Sequence, residues 1–469
     1  MKVRENRPYS ELEVGDEASL TRHATEDDFY VFANTSGNHN PMHLAHEDGD
    51  HDGVVEAIAP SMWVGSLISA VLGNILPGAG TLYRRQSFDF TGRAQAGDDL
   101  IAHVKVVEKR EGGEVVFATK VTRESDGEEI LTGEAVVVAP DHKITFADLE
   151  VPGLVVQRHR HFEALIARAE PLDPIPTAVI APEEPNSLGG ALLGMKHTII
   201  TPILIGDQAK IEAAAREIGQ SLEGVEIQHV ADHAAAAHAG VDLVAEGRAQ
   251  AVMKGHLHTD DLLRACLRKV NGLRAGRRFT HCFVMDVPGV SHPLIVTDAA
   301  INIAPDLATK VDIVQNAIEV ALSIGIEEPK VSILSAVETV NPDIASSVDA
   351  ALLAKMADRG QIRGGLVDGP LAMDNAMDLA AAKTKGIKSD VAGRAEVLVV
   401  PNLDAGNMLA KQLSVIAHAE GAGLVLGASV PLILTSRADG DMARLASCAV
   451  AALHAQRLSG GGAVAKAAE

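Results

Sequence analysis

Hydrophobic and polar residues follow two different rules on either side of residues 141–160. Before that stretch, apolar and polar positions alternate in four runs: LYRRQSFDF (82–90), LIAHVKVVEK (100–109), EVVFATKVTR (114–123) and EEILTGEAVVVA (128–139). A period of two predicts strands with one buried face. EGG (111–113) and ESDGE (124–128) set turn chemistry between the last three runs, as antiparallel neighbours require. Ahead of them, AIAPSMWVGSLISAVLGNIL (57–76) is a longer apolar segment. The first part reads as one helix wrapped by an antiparallel sheet.

After residue 155 the pattern changes to short continuous apolar runs, such as TAVIA (177–181), PILIG (202–206), KVSILS (330–335) and VLVVP (397–401). Amphipathic segments such as AKIEAAAREIGQ (209–220) and VDIVQNAIEVALSIG (311–325) lie between them. Strands apolar on both faces, alternating with helices, predict an α/β unit with a parallel sheet covered on both sides. Ligands are then expected at the carboxyl ends of the strands.

Composition narrows the function. The 469 residues suggest two to four domains, and 47% hydrophobic with 22% charged residues is an ordinary globular balance. Forty-one Lys and Arg against 63 Asp and Glu leave a formal charge of −22, which repels nucleic acid; an anionic substrate needs a local basic pocket. Three Cys without C-x-x-C spacing argue against disulfides and thiolate metal sites. HRH (159–161) and HLH (256–258) bring no third ligand, so no metal is expected. The N-terminus has no apolar signal core, and no apolar stretch reaches 18 residues unbroken, so a cytoplasmic protein with no membrane partner is expected.

Candidate chemistry concentrates in the second part. AQAVMKGHLHTDDLLRACLRKV (249–270) runs from strand through Lys254 and Gly255 to Thr259, read as the N-cap of the next helix. Free N–H groups there, a glycine and a lysine suit a phosphate, although an ordinary strand-to-helix turn has the same pattern. From Leu262 to Met285 there is no acid, while Arg264, Arg268, Lys269, Arg274, Arg277 and Arg278 all fall there. These residues either answer a helix dipole or line a pocket for several phosphates, with Arg264 nearest the anion site. Two apolar runs in GLVLGASVPLILTSRADGD (423–441) lead to Ser436 and Arg437. No G-x-S-x-G elbow is present.

Taken together, VMKGHLHTDDLL, TDAAINIAPDLATKVDIVQNAI, GIEEPKVSILSAVETVNP, DGPLAMDNA, PNLDAGNMLAKQL and VPLILTSRAD resemble the phosphate acetyl/butyryltransferase family over most of 160–455. Details such as AINIAP resemble the butyryl branch more than the acetyl branch. The resemblance implies reversible acyl transfer between coenzyme A and inorganic phosphate, both substrates and neither a bound cofactor. It also implies two α/β subdomains flanking an active cleft, layered as in isocitrate dehydrogenase, in a homodimer or higher homo-oligomer. Carried over by motif, Ser436 hydrogen-bonds the developing charge and Arg437 holds the phosphate. Asp439 or Asp441 takes the thiol proton, and Arg264 is a second phosphate ligand. Lys254, Gly255 and Thr259 match the family's Lys-Gly loop. Asp374, Gly406, Asn407 and Lys411 match other cleft loops, where a structural role fits equally well.

The first part carries a second resemblance. DDFYVFANTSGNHNPMHLAHED (27–48) is similar to MaoC-like hot-dog hydratases, and the whole of 10–140 fits that α+β fold. His43 stands at the catalytic His of the motif. Asn38 occupies the place of its acid, and Ala59-Pro60-Ser61-Met62 replaces the stretch that supplies an oxyanion donor. Asn cannot ionise to activate water, so a hydratase and an inert or acyl-CoA-binding module both remain as readings. Asp48, Asp50, His51 and Asp52 are candidate substitutes for the lost acid. The expected organisation is a hot-dog domain over 1–147 and a phosphate acyltransferase-like domain over 155–469. Three functions stay open: a phosphate acyltransferase with or without a hydratase, an enoyl-CoA hydratase with a passive C-terminal part, and a non-catalytic acyl-CoA-binding protein.

Overall fold

In the first unit, residues 1–156, the chain forms β1 (Val3–Glu5), β2 (Glu17–His23), α1 (Glu26–Ser36), α2 (Ser61–Asn74) and β3 (Leu82–Phe90), then β4 (Asp99–Lys109), β5 (Glu114–Arg123), β6 (Glu129–Val138) and β7 (Thr145–Ala147). This is a computed structural model, and it describes residues 3–44, 57–147, 154, 156, 158–435 and 439–460. The four alternating runs became β3 to β6; alternate side chains of β4 and β5 are buried, whereas β3 is exposed along most of its length, with only Gln86 and Phe88 half-buried. Leu100, Ala102, Val104 and Val106 of β4 all turn to one buried face. The sheet is antiparallel throughout, in the order β2-β4-β5-β6-β3. α2 lies on that face with Trp63, Val64, Leu67, Ile68, Val71 and Leu72 buried, each contributing about 1.5–3 kcal/mol where the side chain is large. A Cβ on Gly65 would lie 2.7 Å from the Phe88 ring, so a glycine lets α2 sit this close to β3. α1 opens with a capping box between Thr25 and Asp28, and its Phe29 meets Trp63 edge-on at 5.1 Å. One helix in the curl of an antiparallel sheet is the expected hot-dog arrangement.

The second unit, residues 157–469, begins with α3 (Arg160–Ala169), β8 (Ile175–Ile180), α4 (Pro185–Lys196), β9 (Ile200–Gly206), α5 (Gln208–Glu217), β10 (Glu226–His229), α6 (His233–Ala245), β11 (Ala251–Lys254) and α7 (Thr259–Cys266). It continues with β12 (Thr280–Asp286), β13 (Leu294–Thr297), α8 (Leu307–Ser323), β14 (Lys330–Leu334), α9 (Ala345–Asp358), β15 (Leu366–Leu371), α10 (Met373–Met377) and α11 (Leu379–Thr384). It closes with β16 (Val397–Val399), α12 (Leu403–Ile416), β17 (Glu420–Leu426), β18 (Leu432–Ile433) and α13 (Asp441–Ser459). Eleven strands form one sheet in the order β10-β9-β8-β11-β18-β17-β12-β13-β16-β14-β15.

The sheet is mixed, where the apolar runs alone predicted a parallel one. β10, β9, β8, β11 and β18 run parallel as a first wing, and β13, β16, β14 and β15 as a second. Between them β17 and β12 pair antiparallel with each other and with their flanking strands, so the two wings point opposite ways. The cause is loop length: 287–293 and 427–431 are too short for a parallel crossover and close β12–β13 and β17–β18 as hairpins. Helices cover both faces. α13 is buried along Ala443–Ala455 and packs with α3, α4 and α8, while α6 and α7 cover part of the other face. In the first wing the chain steps outward through β9 and β10 on one side of β8, and through β11 and β18 on the other. The crevice between the ends of β8 and β11 is therefore a topological switch point.

Candidate functional site

Lys254 and Gly255 leave β11 at that switch point. Gly255 donates its N–H to the Ile180 carbonyl (2.8 Å), and His256 donates to that of Ala181 (2.6 Å). A Cβ at 255 would stand 2.3 Å from Ala181 O and 2.5 Å from Ile180 O, so only glycine allows the two loops to approach. The Lys254 Nζ reaches the Gly255 carbonyl at 3.3 Å. α7 starts one residue earlier than its N-cap assignment to Thr259 predicted. His258 holds the extended N-cap conformation, its carbonyl accepts the Asp261 amide at 3.2 Å, and Thr259 is the first helical residue. Asp260 and Asp261 in the first turn already answer the helix dipole.

Two carboxylates brace this crevice, and neither stood out in the sequence. Glu183, with a side chain 3% exposed, accepts the Asp207 amide (3.0 Å), His233 Nε2 (3.0 Å) and Lys210 Nζ (3.1 Å). Burial alone would raise its pKa, but the Asp207 amide, His233 and Lys210 together hold the carboxyl below its ordinary range. Glu184 lies 2.5 Å from His256 Nδ1, and the His256 ring meets that of His233 edge-on at 6.0 Å. Single acids in APEEPN carry no motif, which is why periodicity passes over them.

The basic stretch is divided by the fold. Arg264, Arg268 and Lys269 line one open groove of about 610 Å³ with His238, Asp260, Leu263 and Leu267. Arg264 stands in the last turn of α7, 73% exposed and paired with Asp261 at 3.0 Å. Arg268 pairs with Asp242. Arg274 donates to the Leu267 carbonyl at 2.8 Å, and Arg277 pairs with Glu319 at 2.6 Å. Arg278 lines a separate polar recess of about 260 Å³ with Asn302, Pro305, Asp306 and Thr309.

The remaining cleft-loop residues sit at the opposite edge of the sheet. There the buried Asp298 carboxylate gathers the amides of Ala300 and Ile301 (3.0 Å each) and the Asn302 side chain (2.5 Å) into a tight loop. Gly406 of α12 packs on it, since a Cβ would come 2.7 Å from the Asp298 carbonyl, and Asn407 Nδ2 reaches the Ala299 carbonyl at 3.4 Å. Asp374 begins α10, where the Asn375 amide and Lys385 hold its carboxyl below the usual range. Lys411 is exposed on α12.

Ser436 and Arg437 lie outside the described residues, but their flanks are fixed. The buried Arg444 donates from Nη1 to Thr435 Oγ1 (3.1 Å) and from Nε to the Asp439 carbonyl (3.2 Å), clamping both ends of that segment. An arginine in the first turn of an Ala-rich helix was the available signal. Asp441 opens α13 and is exposed.

In the first unit, His43 is buried in the turn Pro41–His43, and its Nδ1 is 2.7 Å from the Ile58 carbonyl. A carbonyl can only accept, so Nδ1 carries the proton and Nε2 keeps its lone pair. The Ile58 amide returns to the Met42 carbonyl at 2.9 Å, tying this turn to the chain that enters α2. Pro60 gives α2 no side-chain cap. Asn38 is exposed and uses Oδ1 on the Asn40 amide (3.3 Å). Asp48, Asp50, His51 and Asp52 lie outside the described residues.

Fold and site thus define a class: a hot-dog unit followed by a layered α/β acyltransferase unit. The family model described as phosphate acetyl/butaryl transferase matches residues 230–452, and that of the MaoC like domain matches 10–127. A phosphate acetyltransferase of Rhizobium meliloti is 55% identical over 296 residues, 63% of this chain and 94% of that protein. A phosphate butyryltransferase of Clostridium beijerinckii is 40% identical over 64% of this chain and 99% of its own length. The crystal structure of a branched-chain phosphotransacylase from Enterococcus faecalis matches at 32% identity and TM-score 0.53, covering 60% of this chain and 99% of that one. The chain belongs to the phosphate acetyl/butyryltransferase family. Among the described residues no helix is long and apolar enough to cross a membrane.

Proposed function

We propose that the C-terminal domain, residues 155–469, catalyses acyl-CoA + phosphate = acyl phosphate + CoA on a short acyl chain. One observation carries the reading. β11 and β18 pair in parallel, Val252 with Leu432 and Met253 with Ile433, so the Lys254-Gly255 loop and the strand leading to Ser436-Arg437 end side by side at the switch point. A phosphate there meets Lys254 and the Arg437 guanidinium, while Ser436 hydrogen-bonds the charge that develops on the acyl carbonyl. The thiolate is the nucleophile, so a carboxylate must take the thiol proton, and the family motif offers Asp439 or Asp441. The groove with Arg264, Arg268 and Lys269 suits the nucleotide phosphates of CoA, its Leu263 and Leu267 the adenine face. CoA and phosphate are substrates in this reading, no metal or bound cofactor takes part, and the enzyme acts in the cytoplasm as a homo-oligomer. Asp374, Gly406, Asn407 and Lys411 act by shaping the second wing's loops.

A second activity has its own observation. The hydrogen bond from His43 to Ile58 leaves Nε2 free as a base, so the hot-dog domain, residues 1–147, is set up to hydrate an enoyl-CoA with one of its two proton-transfer groups in place. Release of free thiol from acetyl-, propionyl-, butyryl- and crotonyl-CoA, with and without phosphate, tests both while the crotonyl double bond is followed. Phosphate-dependent release that falls at least about a hundredfold in Ser436→Ala is the expected result. Release that ignores phosphate, or survives Ser436→Ala, removes the acyltransferase reading.

A further inference from the structure

At the edge of the sheet where β18 leads toward Ser436, three ionisable side chains each carry a buried polar atom with no hydrogen-bond partner. β17 begins at Glu420, and β12 ends at Asp286, directly opposite it in the antiparallel ladder. Asp286 is 1% exposed; its Oδ2 accepts the Phe162 amide (2.8 Å), and its Oδ1 has no partner. Glu420 Oε2 is likewise buried and unpartnered, while the side chain as a whole keeps 31% exposure. His159, at the start of α3, brings its Nε2 to 3.9 Å from Glu420 Oε1, and its Nδ1 is buried without a partner. An unsatisfied buried polar atom destabilises the fold, so three in one place mark a site built for something other than stability.

We propose that Glu420 is the group that exchanges the thiol proton of CoA. The proposal rests on the acyltransferase reading above and supplies the base that Asp439 and Asp441 only nominally fill. Geometry favours it: Leu434, just before the Ser436 segment, donates its amide to the Gly423 carbonyl, so β17 runs beside that segment's entry and presents its first residue there. The groups facing Glu420 are His159 from α3, Asp286 from β12 and Asp439 from the turn before α13. Burial raises the Glu420 carboxyl; His159 opposes this, and the charges of Asp286 and Asp439 add to it. A carboxyl moved toward neutrality suits proton transfer at physiological pH, whereas Asp441 sits exposed at a helix start.

The step balances in both directions. Toward acyl-CoA, the Glu420 carboxylate takes the S–H proton, the sulfur attacks the acyl phosphate carbonyl, the C–O bond to phosphate breaks, and phosphate leaves with the proton. Toward acyl phosphate, hydrogen phosphate attacks the thioester, the C–S bond breaks, protonated Glu420 gives its proton to the departing sulfur, and the phosphate's proton restores it. No oxidant or further reactant is needed.

The test uses the full-length enzyme in the direction acetyl phosphate plus CoA, comparing wild type with Glu420→Gln, Glu420→Asp and Asp439→Asn across pH. Glu420→Gln is expected to lower kcat about a hundredfold or more near pH 7, with the defect shrinking below tenfold near pH 9.5, where the thiol ionises unaided. Glu420→Asp, which keeps a carboxylate and guards against a misfolded amide variant, should retain an intermediate rate and the wild-type shape of the profile. A purely structural role would give a defect that is constant with pH. That constancy, a Glu420→Gln rate within threefold of wild type near pH 7, or the pH-rescued defect appearing in Asp439→Asn instead, would overturn the proposal. A wild type that forms no acetyl-CoA and phosphate from acetyl phosphate and CoA would bring down the acyltransferase reading and this inference with it, and is told apart because no variant is then needed.

Discussion

In the first unit a buried histidine is oriented by one backbone carbonyl, yet the acid position five residues before it holds Asn38. In the second unit Glu183 and Asp286 are buried and Glu420 is half-buried, each beside charged neighbours. The first offers one oriented histidine and, at the position where the hydratase motif has an acid, an asparagine that cannot ionise. The second holds buried carboxylates, costly to keep charged, close to the loops that carry its motif residues. Backbone scaffolding and chemical competence are thus separable, and residue identity at one position can decide between them.

That contrast can be attacked from four sides. If only the missing acid limits the hot-dog site, Asn38→Asp should raise crotonyl-CoA hydration about a hundredfold, and adding His43→Ala should erase the gain; no rise would mean the scaffold itself is spoiled. In the second unit, Gly255→Ala forces a Cβ against two carbonyls and should cost about 3 kcal/mol or more in chemical unfolding. A loss under 1 kcal/mol would show that the loops separate freely. Glu183→Gln should cost about 1–3 kcal/mol at pH 7, because His233 and Lys210 lose their charged partner. Since the folded carboxyl titrates below its ordinary 4.5, its stabilisation is full above that value and drains as pH falls through the lowered folded one. Thermal melts of wild type and variant should therefore converge as the pH is taken progressively below 4.5, and parallel curves would contradict the assignment. Smallest of all, Arg264→Ala should raise the KM for CoA about threefold to tenfold while leaving that for phosphate unchanged, because the side chain is exposed and already shared with Asp261. A change in the phosphate KM would return Arg264 to the anion site.

How much of this was legible in the sequence varies with the range of the cause. β4 and β5 follow the alternation of their runs, and β8, β9, β14 and β16 follow the short apolar runs, since each depends on local burial alone, whereas β3 forms although most of its side chains are exposed. The antiparallel centre was not visible: a strand buried on both faces looks the same whichever way its neighbours run, and only the short 287–293 and 427–431 connections gave it away. Gly255 was singled out in the sequence, but the reason for a glycine there lies in Ile180 and Ala181, far off in the chain. Glu183, Arg444 and Glu420 act through partners brought by other elements, so no spacing rule reaches them. Thr259 was displaced by one residue because a histidine can adopt the extended cap conformation without lending a side-chain bond.

The pairing of Val252 with Leu432 also bears on how the protein is made. Everything from β12 to β17 is, in chain order, an insert between two neighbouring strands of the first wing. On the ribosome the hot-dog unit can close as soon as β7 emerges, whereas β11 must wait as an open edge until nearly the whole chain has been translated. Long-range pairing of this kind folds slowly, so the Lys254 loop, already backed by Ile180 and Ala181, acquires β18 beside it only after the whole second wing has been made.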